Sequence, residues 1–116
     1  MPPPSATHVA SAVPEVSPAQ AAALAETRLR EHIGRLPAGW RVVLFGSRAT
    51  GRHLRRSDFD LAVFPPPGAD PWALLKLREA IEDDGRIIYA VDIVDMRDAS
   101  PELMAEVVRE GVVWKN

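Results

Sequence analysis

Three aspartates form the first group of residues in this chain that could do chemistry. Asp58 and Asp60 flank Phe59 where an apolar run begins, and a strand's period of two places both carboxylates on one face. The residues that alternate with them are predicted to point toward a core. Asp92 is the one acid within the apolar run from Tyr89 to Val94, and an unpaired carboxylate would be costly in a strand buried on both faces. If this strand lies beside that of Asp58 and Asp60, Asp92 can face both of them. Clustered carboxylates repel each other unless a cation separates them, and Mg²⁺ prefers oxygen ligands. The aspartates predict a divalent-cation site, with solvent-facing strand ends as the alternative.

A glycine and a serine form the second group. Gly46 and Ser47 follow the apolar run that ends at Phe45. A glycine lets backbone N–H groups approach a phosphate closely, and the serine adds a hydroxyl donor. Arg48 comes next, and a guanidinium pairs well with phosphate oxygens. A plain turn is the alternative for Gly46-Ser47. Arg52, Arg55 and Arg56 could also pair with phosphate, and the alternative for these three is a solvated basic loop. His53 has no partner at the spacing of metal ligands.

Alternating short helices and strands must position these residues. Hydrophobic periodicity, capping residues and Gly or Pro stops predict both kinds of element, and Ser17 with Gln20 predicts a capping box at the start of the first helix. Helices are predicted from Ser17 to about Arg35, for one turn at Ser47, from Asp70 to before Gly85 and from Ser100 to before Gly111; strands are predicted at 40–45, 59–64 and 87–94, with a short edge strand at 112–114. The order αβ(α)βαβα indicates an α/β (α+β) fold, a small mixed β-sheet flanked by helices.

Three further aspartates are predicted to lie outside the site. Asp95 is nearer the end of its strand and is expected to face solvent. Asp83 and Asp84 close a helix, where the helix dipole disfavours them, so both are predicted to be surface residues.

Length and composition limit the classes of protein. The chain has 116 residues, and five of its eleven prolines lie in the first 18 residues. This predicts a disordered Pro-rich tail over 1–17 and one domain over 18–116. The absence of cysteine excludes disulfides and thiolate metal sites. A net charge of −2 argues against a nucleic-acid coat protein, so no direct nucleic-acid binding is expected. Without a long apolar run or a basic leader, we expect a cytoplasmic protein that does not bind membranes.

The two groups together resemble a known signature. Gly46-Ser47, ten residues and then Asp58-Phe59-Asp60 match the G-S-x10-D-x-D pattern of DNA polymerase β-like nucleotidyltransferases. The letters GSRATG, SDFDLAVF and VDIVD are most similar to the minimal nucleotidyltransferase (MNT) family, over about residues 20–114. The resemblance implies that Gly46, Ser47 and Arg48 bind the nucleotide triphosphate. It also implies that Asp58, Asp60 and Asp92 are the catalytic carboxylates and ligate two Mg²⁺ ions.

The resemblance also implies an activity and a partner. Many MNT proteins are antitoxins encoded beside HEPN ribonuclease toxins. We therefore expect transfer of AMP from ATP to a hydroxyl, a tyrosine of the HEPN toxin, in a type VII-like toxin–antitoxin pair. One alternative is a non-catalytic antitoxin that neutralises its partner by occlusion. Another is the nucleotidyltransferase subunit of an enzyme that modifies small molecules.

Overall fold

A mixed four-stranded sheet organises the computed structural model, which describes residues 17–52 and 57–116. The strands lie in the order β3-β2-β1-β4 and are β1 Arg41–Phe45, β2 Phe59–Phe64, β3 Val91–Asp95 and β4 Val112–Lys115. β1 is antiparallel to β2 and β4, whereas β2 and β3 are parallel. The predicted α/β (α+β) class and the edge strand near 112–114 are confirmed. The predictions for residues 1–16, and those for His53, Arg55 and Arg56, lie outside the described residues.

Helices cover both faces of the sheet. They are α1 Pro18–Gly34, the single turn α2 Ser47–Thr50, α3 Pro71–Glu82, a 3₁₀ turn Met96–Asp98 and α4 Pro101–Glu110. The capping box predicted for α1 is confirmed: the Gln20 N–H donates to the Ser17 hydroxyl, and the Gln20 side chain accepts from the Ser17 N–H. Within the described ranges, no helix has the length and apolar character needed to cross a membrane.

Alternate residues of β2 pack on opposite faces of the sheet. Phe59, Leu61 and Val63 are buried against α1 and α3, in a core that includes Leu29 and Leu77. This confirms that the residues alternating with the two aspartates point into a core. The other face holds a smaller core of Val43, Phe45, Ala62, Met96 and Val107. Asp60 therefore lies on the face of the sheet that α4 covers.

The third strand begins later than its apolar sequence predicts. A strand was expected over 87–94, whereas β3 spans Val91–Asp95. The Asp84 carboxylate accepts from the Arg86 N–H and forms a turn, and Ile88 is 70% exposed rather than paired in the sheet. β3 is an edge strand, not one buried on both faces as the sequence suggested, and the Arg78 guanidinium donates to its Ile93 carbonyl at 3.0 Å.

Asp84 links the end of α3 to α1, which corrects its prediction as a surface residue. Its side chain is only 7% exposed. One carboxylate oxygen, Oδ2, accepts from His32 Nε2 and Arg28 Nε, both at 2.8 Å. The hydrogen bond from His32, with those from the Arg86 N–H and Arg28, lowers the pKa of Asp84 far below its ordinary value. The neighbouring Asp83 is exposed, as predicted.

We expect Asp84→Asn to lower the melting temperature at neutral pH. A carboxylate with a depressed folded-state pKa stabilises the fold above the unfolded pKa of about 3.9, and this contribution is lost as the pH falls further. The difference from wild type should therefore be largest near pH 7 and shrink below about pH 4. Thermal unfolding across this pH range measures it, with Asp83→Asn as the matched control. Equal melting temperatures of wild type and Asp84→Asn at pH 7 would contradict the interpretation.

Candidate active site

Two of the three predicted carboxylates lie side by side on neighbouring strands. Asp60 of β2 is paired in register with Asp92 of β3. This confirms that the strand of Asp92 lies beside that of Asp60, the condition under which Asp92 was predicted to face the D-x-D pair. Asp58 directly precedes β2. Asp60 is half-buried, whereas Asp58 and Asp92 are exposed. The sequence predicted a strand buried on both faces, but Asp92 is accessible to solvent because β3 is at the edge of the sheet.

Negative charge accumulates around Asp60. Burial raises the pKa of its carboxyl above the ordinary value, and the charges of Asp92, Asp58 and Glu106 raise it further. No Lys, Arg or His of residues 17–52 and 57–116 forms an ion pair with Asp58, Asp60 or Asp92. Glu106, on α4, is the contributor that sequence reasoning missed. The local sequence indicates that Glu106 lies on a helix, but it does not indicate which strand that helix packs against.

Gly46 lies directly against Asp60. Its φ is +75°, and a Cβ at this position would collide with Asp60 Oδ2. Glycine is therefore required both by the backbone conformation and by the close approach. The Gly46 carbonyl accepts from the Ala49 and Thr50 N–H groups and begins α2. Ser47 is the first residue of that helix, so it directly follows the residue that contacts Asp60.

Arg48 points to a different neighbourhood from Ser47. Its Nε donates to the Ser57 carbonyl at 2.9 Å, and its guanidinium carbon lies 4.4 Å from the centre of the Phe59 ring. Phe59 is buried on the α1 side of the sheet. The structure thus brings Gly46 to Asp60 and directs the Arg48 side chain toward the opposite face of the sheet.

Asp95 is separated from this group of carboxylates. It follows Asp92 by an odd number of residues, so strand alternation turns it to the other face of β3. Arg97 donates to both of its oxygens, with Nη2 at 2.6 Å from Oδ2, and this interaction lowers the pKa of Asp95. Asp95 is half-buried and ion-paired rather than simply solvent-facing. Asp92, without such a partner, is the better candidate for the third functional carboxylate.

The chemistry of these side chains fits a divalent cation. Three carboxylates provide hard oxygen donors, and repulsion around Asp60 is the condition that a cation relieves. Their present positions do not form a ready-made site: among the described residues no three acidic or histidine side chains are grouped closely enough to hold a metal ion. Asp58, Asp60 and Asp92 are therefore suitable ligands that would have to move closer around a bound ion.

A sheet that presents paired carboxylates beside a Gly-Ser turn defines the nucleotidyltransferase class of fold. Residues 40–115 match the family described as Polymerase beta, Nucleotidyltransferase. The match includes Gly46, Ser47 and all three aspartates of the site. The chain belongs to this family.

Within this family, the chain is similar to individual MNT proteins. The protein adenylyltransferase MntA of Shewanella oneidensis is 38% identical over 87 residues, 72% of this chain and 56% of MntA. The chain thus spans little more than half of that relative. A crystal structure of a toxin–antitoxin with AMP-PNP has a TM-score of 0.62 and 29% identity, covering 78% of this chain and 73% of the matched chain. A tri-AMPylated Shewanella oneidensis HEPN toxin in complex with MNT antitoxin has a TM-score of 0.55 and 25% identity, covering 79% and 72%.

Proposed function

We propose that this chain is a Mg²⁺-dependent nucleotidyltransferase that transfers AMP from ATP to a tyrosine hydroxyl of a HEPN-type toxin. In this role it acts as the antitoxin of a type VII-like pair. The observation that carries the proposal is the pairing of Asp60 with Asp92, with Gly46 against Asp60. Its family, an adenylyltransferase relative and two matched toxin–antitoxin structures support the same activity.

The carboxylates and the Gly-Ser turn have separate roles in this reaction. Gly46 and Ser47 bind the triphosphate of ATP. The acceptor oxygen attacks the α-phosphorus, the bond from that phosphorus to the bridging oxygen breaks, and pyrophosphate leaves. Asp92 is exposed and accepts the proton of the attacking hydroxyl. Mg²⁺ held by Asp58, Asp60 and Asp92 would offset negative charge on the attacking and leaving oxygens.

Exposure of the site suits a protein acceptor. Asp58 and Asp92 are exposed at one end of the β2–β3 pair, where a side chain of another protein can approach them. A partner that presents its own tyrosine at this exposed end would supply the acceptor hydroxyl. Positioning and electrostatics account for most of the rate acceleration in phosphoryl-type transfer, so a small site is sufficient.

Labelled ATP tests the proposal directly. The protein is incubated with ATP labelled at the α-phosphate, Mg²⁺ and a HEPN-type toxin. We expect label on a toxin tyrosine, located by peptide mass spectrometry, and no label on the matching Tyr→Phe toxin. EDTA is expected to prevent transfer. Neutralisation of the toxin without label would instead support occlusion, and transfer to small hydroxyl compounds alone would support the small-molecule alternative.

Ser47→Ala is expected to weaken the use of ATP without altering the fold. The Ser47 hydroxyl has no hydrogen-bond partner within the described part of the chain, and one bond to a charged phosphate contributes about 1.5–3 kcal/mol. The KM for ATP should therefore rise at least about tenfold at an unchanged melting temperature. Thr50→Ala is the control, because the Thr50 hydroxyl bonds back to carbonyls of its own helical turn. Unchanged kinetics would remove Ser47 from the site.

A further inference from the structure

The Arg48 guanidinium lies over two neighbouring aromatic rings. Its central carbon lies 4.4 Å from the centre of the Phe59 ring and 4.6 Å from that of Tyr89. The two rings contact each other edge to face, with their centres 5.7 Å apart. A guanidinium over aromatic faces is held by cation–π attraction, which is stronger where water is excluded. Arg48 is therefore fixed by contacts that have no connection with a phosphate.

These rings lie on the opposite side of the sheet from Asp60. Phe59 points into the core beneath α1, and Asp60, the next residue of β2, points to the other face. A cavity of about 240 Å³ on the α1 side is bounded by Arg48 and Phe59 together with Ala22, Ala23, Glu26 and Leu44. Reaching a triphosphate beside Asp60 would require Arg48 to leave both rings.

The hydrogen bonds of Arg48 connect it to the turn before Asp58. Its Nε donates to the Ser57 carbonyl at 2.9 Å. Its Nη2 is buried and has no acceptor among the described residues, which is an unfavourable state for a charged donor. The rings and the Ser57 carbonyl must therefore outweigh that cost. Since this carbonyl belongs to the peptide bond that leads into Asp58, Arg48 joins α2, which starts at Ser47, to the strand that carries the carboxylates.

We propose that Arg48 is a positioning residue that holds Asp58 in place relative to Ser47 and does not contact the triphosphate. The role of Arg48 in catalysis rests on the proposed function, whereas its stabilisation of the backbone at residues 57–59 does not. Loss of Arg48 loosens residues 57–59 and lowers the rate of transfer. It leaves the KM for ATP nearly unchanged, because Gly46 and Ser47 remain in place.

Three variants separate this role from a phosphate contact. Arg48→Gln removes the cation and most of the donor fork. Arg48→Lys restores a cation and one donor without the planar fork, so partial rescue is expected. Arg52→Gln is the control, because it removes the same charge from the same loop, yet Arg52 is 69% exposed and contacts Thr50 and Glu110 instead of β2.

Amide hydrogen exchange tests the backbone role without any transfer activity. The Phe59 N–H donates to the Ala90 carbonyl at 3.0 Å, so it reports directly on the start of β2. In Arg48→Gln we expect Phe59 to exchange at least about tenfold faster, while Leu61 and Val63 stay protected. Unchanged exchange at Phe59, or an equal loss along all of β2, overturns the proposal even if the chain transfers no nucleotide.

Steady-state kinetics with ATP and the HEPN-type acceptor test the catalytic consequence. Arg48→Gln should lower kcat at least about tenfold and change the KM for ATP by less than about twofold, with Arg52→Gln close to wild type. A tenfold higher KM at unchanged kcat would show a triphosphate contact and overturn the proposal. If the wild type is active and Arg48→Gln has the same kcat, the proposal is also overturned. An inactive wild type would count against the proposed function, and the exchange result would still decide the backbone role.

Discussion

Replacing Asp60 by Asn is expected to abolish AMP transfer and, at neutral pH without metal, to stabilise the protein. Asp60 is half-buried beside the negative charges of Asp92, Asp58 and Glu106, with no basic partner in the described ranges. Removing its charge relieves this repulsion, which solvent screening limits to roughly 0.5–1 kcal/mol. The same change removes a ligand for Mg²⁺, so the rate should fall about a thousandfold or more.

Melting temperatures in EDTA and in Mg²⁺-ATP, measured alongside label transfer, test both effects. Asp92→Asn should also abolish transfer but stabilise less, because Asp92 is exposed. Stabilisation by Mg²⁺-ATP should shrink in both variants, since ligand linkage follows affinity. Asp98→Asn, an exposed carboxylate outside the site, is the control. An Asp60→Asn protein that is less stable in EDTA and still transfers AMP would make Asp60 a structural acid.

Gly46→Ala is expected to destabilise the fold and to inactivate the site together. The φ of +75° is unfavourable for alanine, and its Cβ would collide with Asp60 Oδ2. The conformational strain alone should cost about 1 kcal/mol or more. Relief of the collision requires Asp60 or the start of α2 to move, so activity should fall even where the protein remains folded.

Gly51→Ala separates strain from crowding. Gly51 ends the same helical turn with a φ of +76°, but an added Cβ meets no atom of the described residues within 4 Å. Both variants should lower the free energy of unfolding, measured with denaturant, and Gly46→Ala should lower it further. Only Gly46→Ala should reduce transfer measured under conditions where the variant is fully folded. Equal losses of stability and activity in the two variants would show that the contact with Asp60 has no consequence.

Local sequence was sufficient for features that depend on near neighbours. The Ser17–Gln20 capping box lies within one helical turn, and the alternation around Phe59 follows from the geometry of one strand. The pairing of Asp60 with Asp92 required one further assumption, that β3 lies beside β2, and this was correct. Most of the fold could be predicted because the apolar periodicity, the helix-capping residues and the Gly or Pro residues that end each element indicate the same helices and strands.

Features that depend on distant residues could not be predicted. Asp84 is buried because α1 supplies Arg28 and His32, which precede it by more than 50 residues. Glu106 approaches Asp60 only through the packing of α4 on the sheet. The start of β3 was misplaced because Ile87 and Ile88 look like strand residues, although the Asp84 turn precedes them. Tertiary contacts decide each of these cases, and a local pattern does not contain them.

The guanidinium of Arg78 on the Ile93 carbonyl also affects association between molecules. β3 is at the edge of the sheet, and an exposed strand edge is a template on which a strand of another chain can pair. Arg78 occupies one acceptor of that edge and places a positive charge beside it. A strand of another chain would have to displace this guanidinium to pair fully with β3, so Arg78 disfavours intermolecular β-pairing along the strand that carries Asp92.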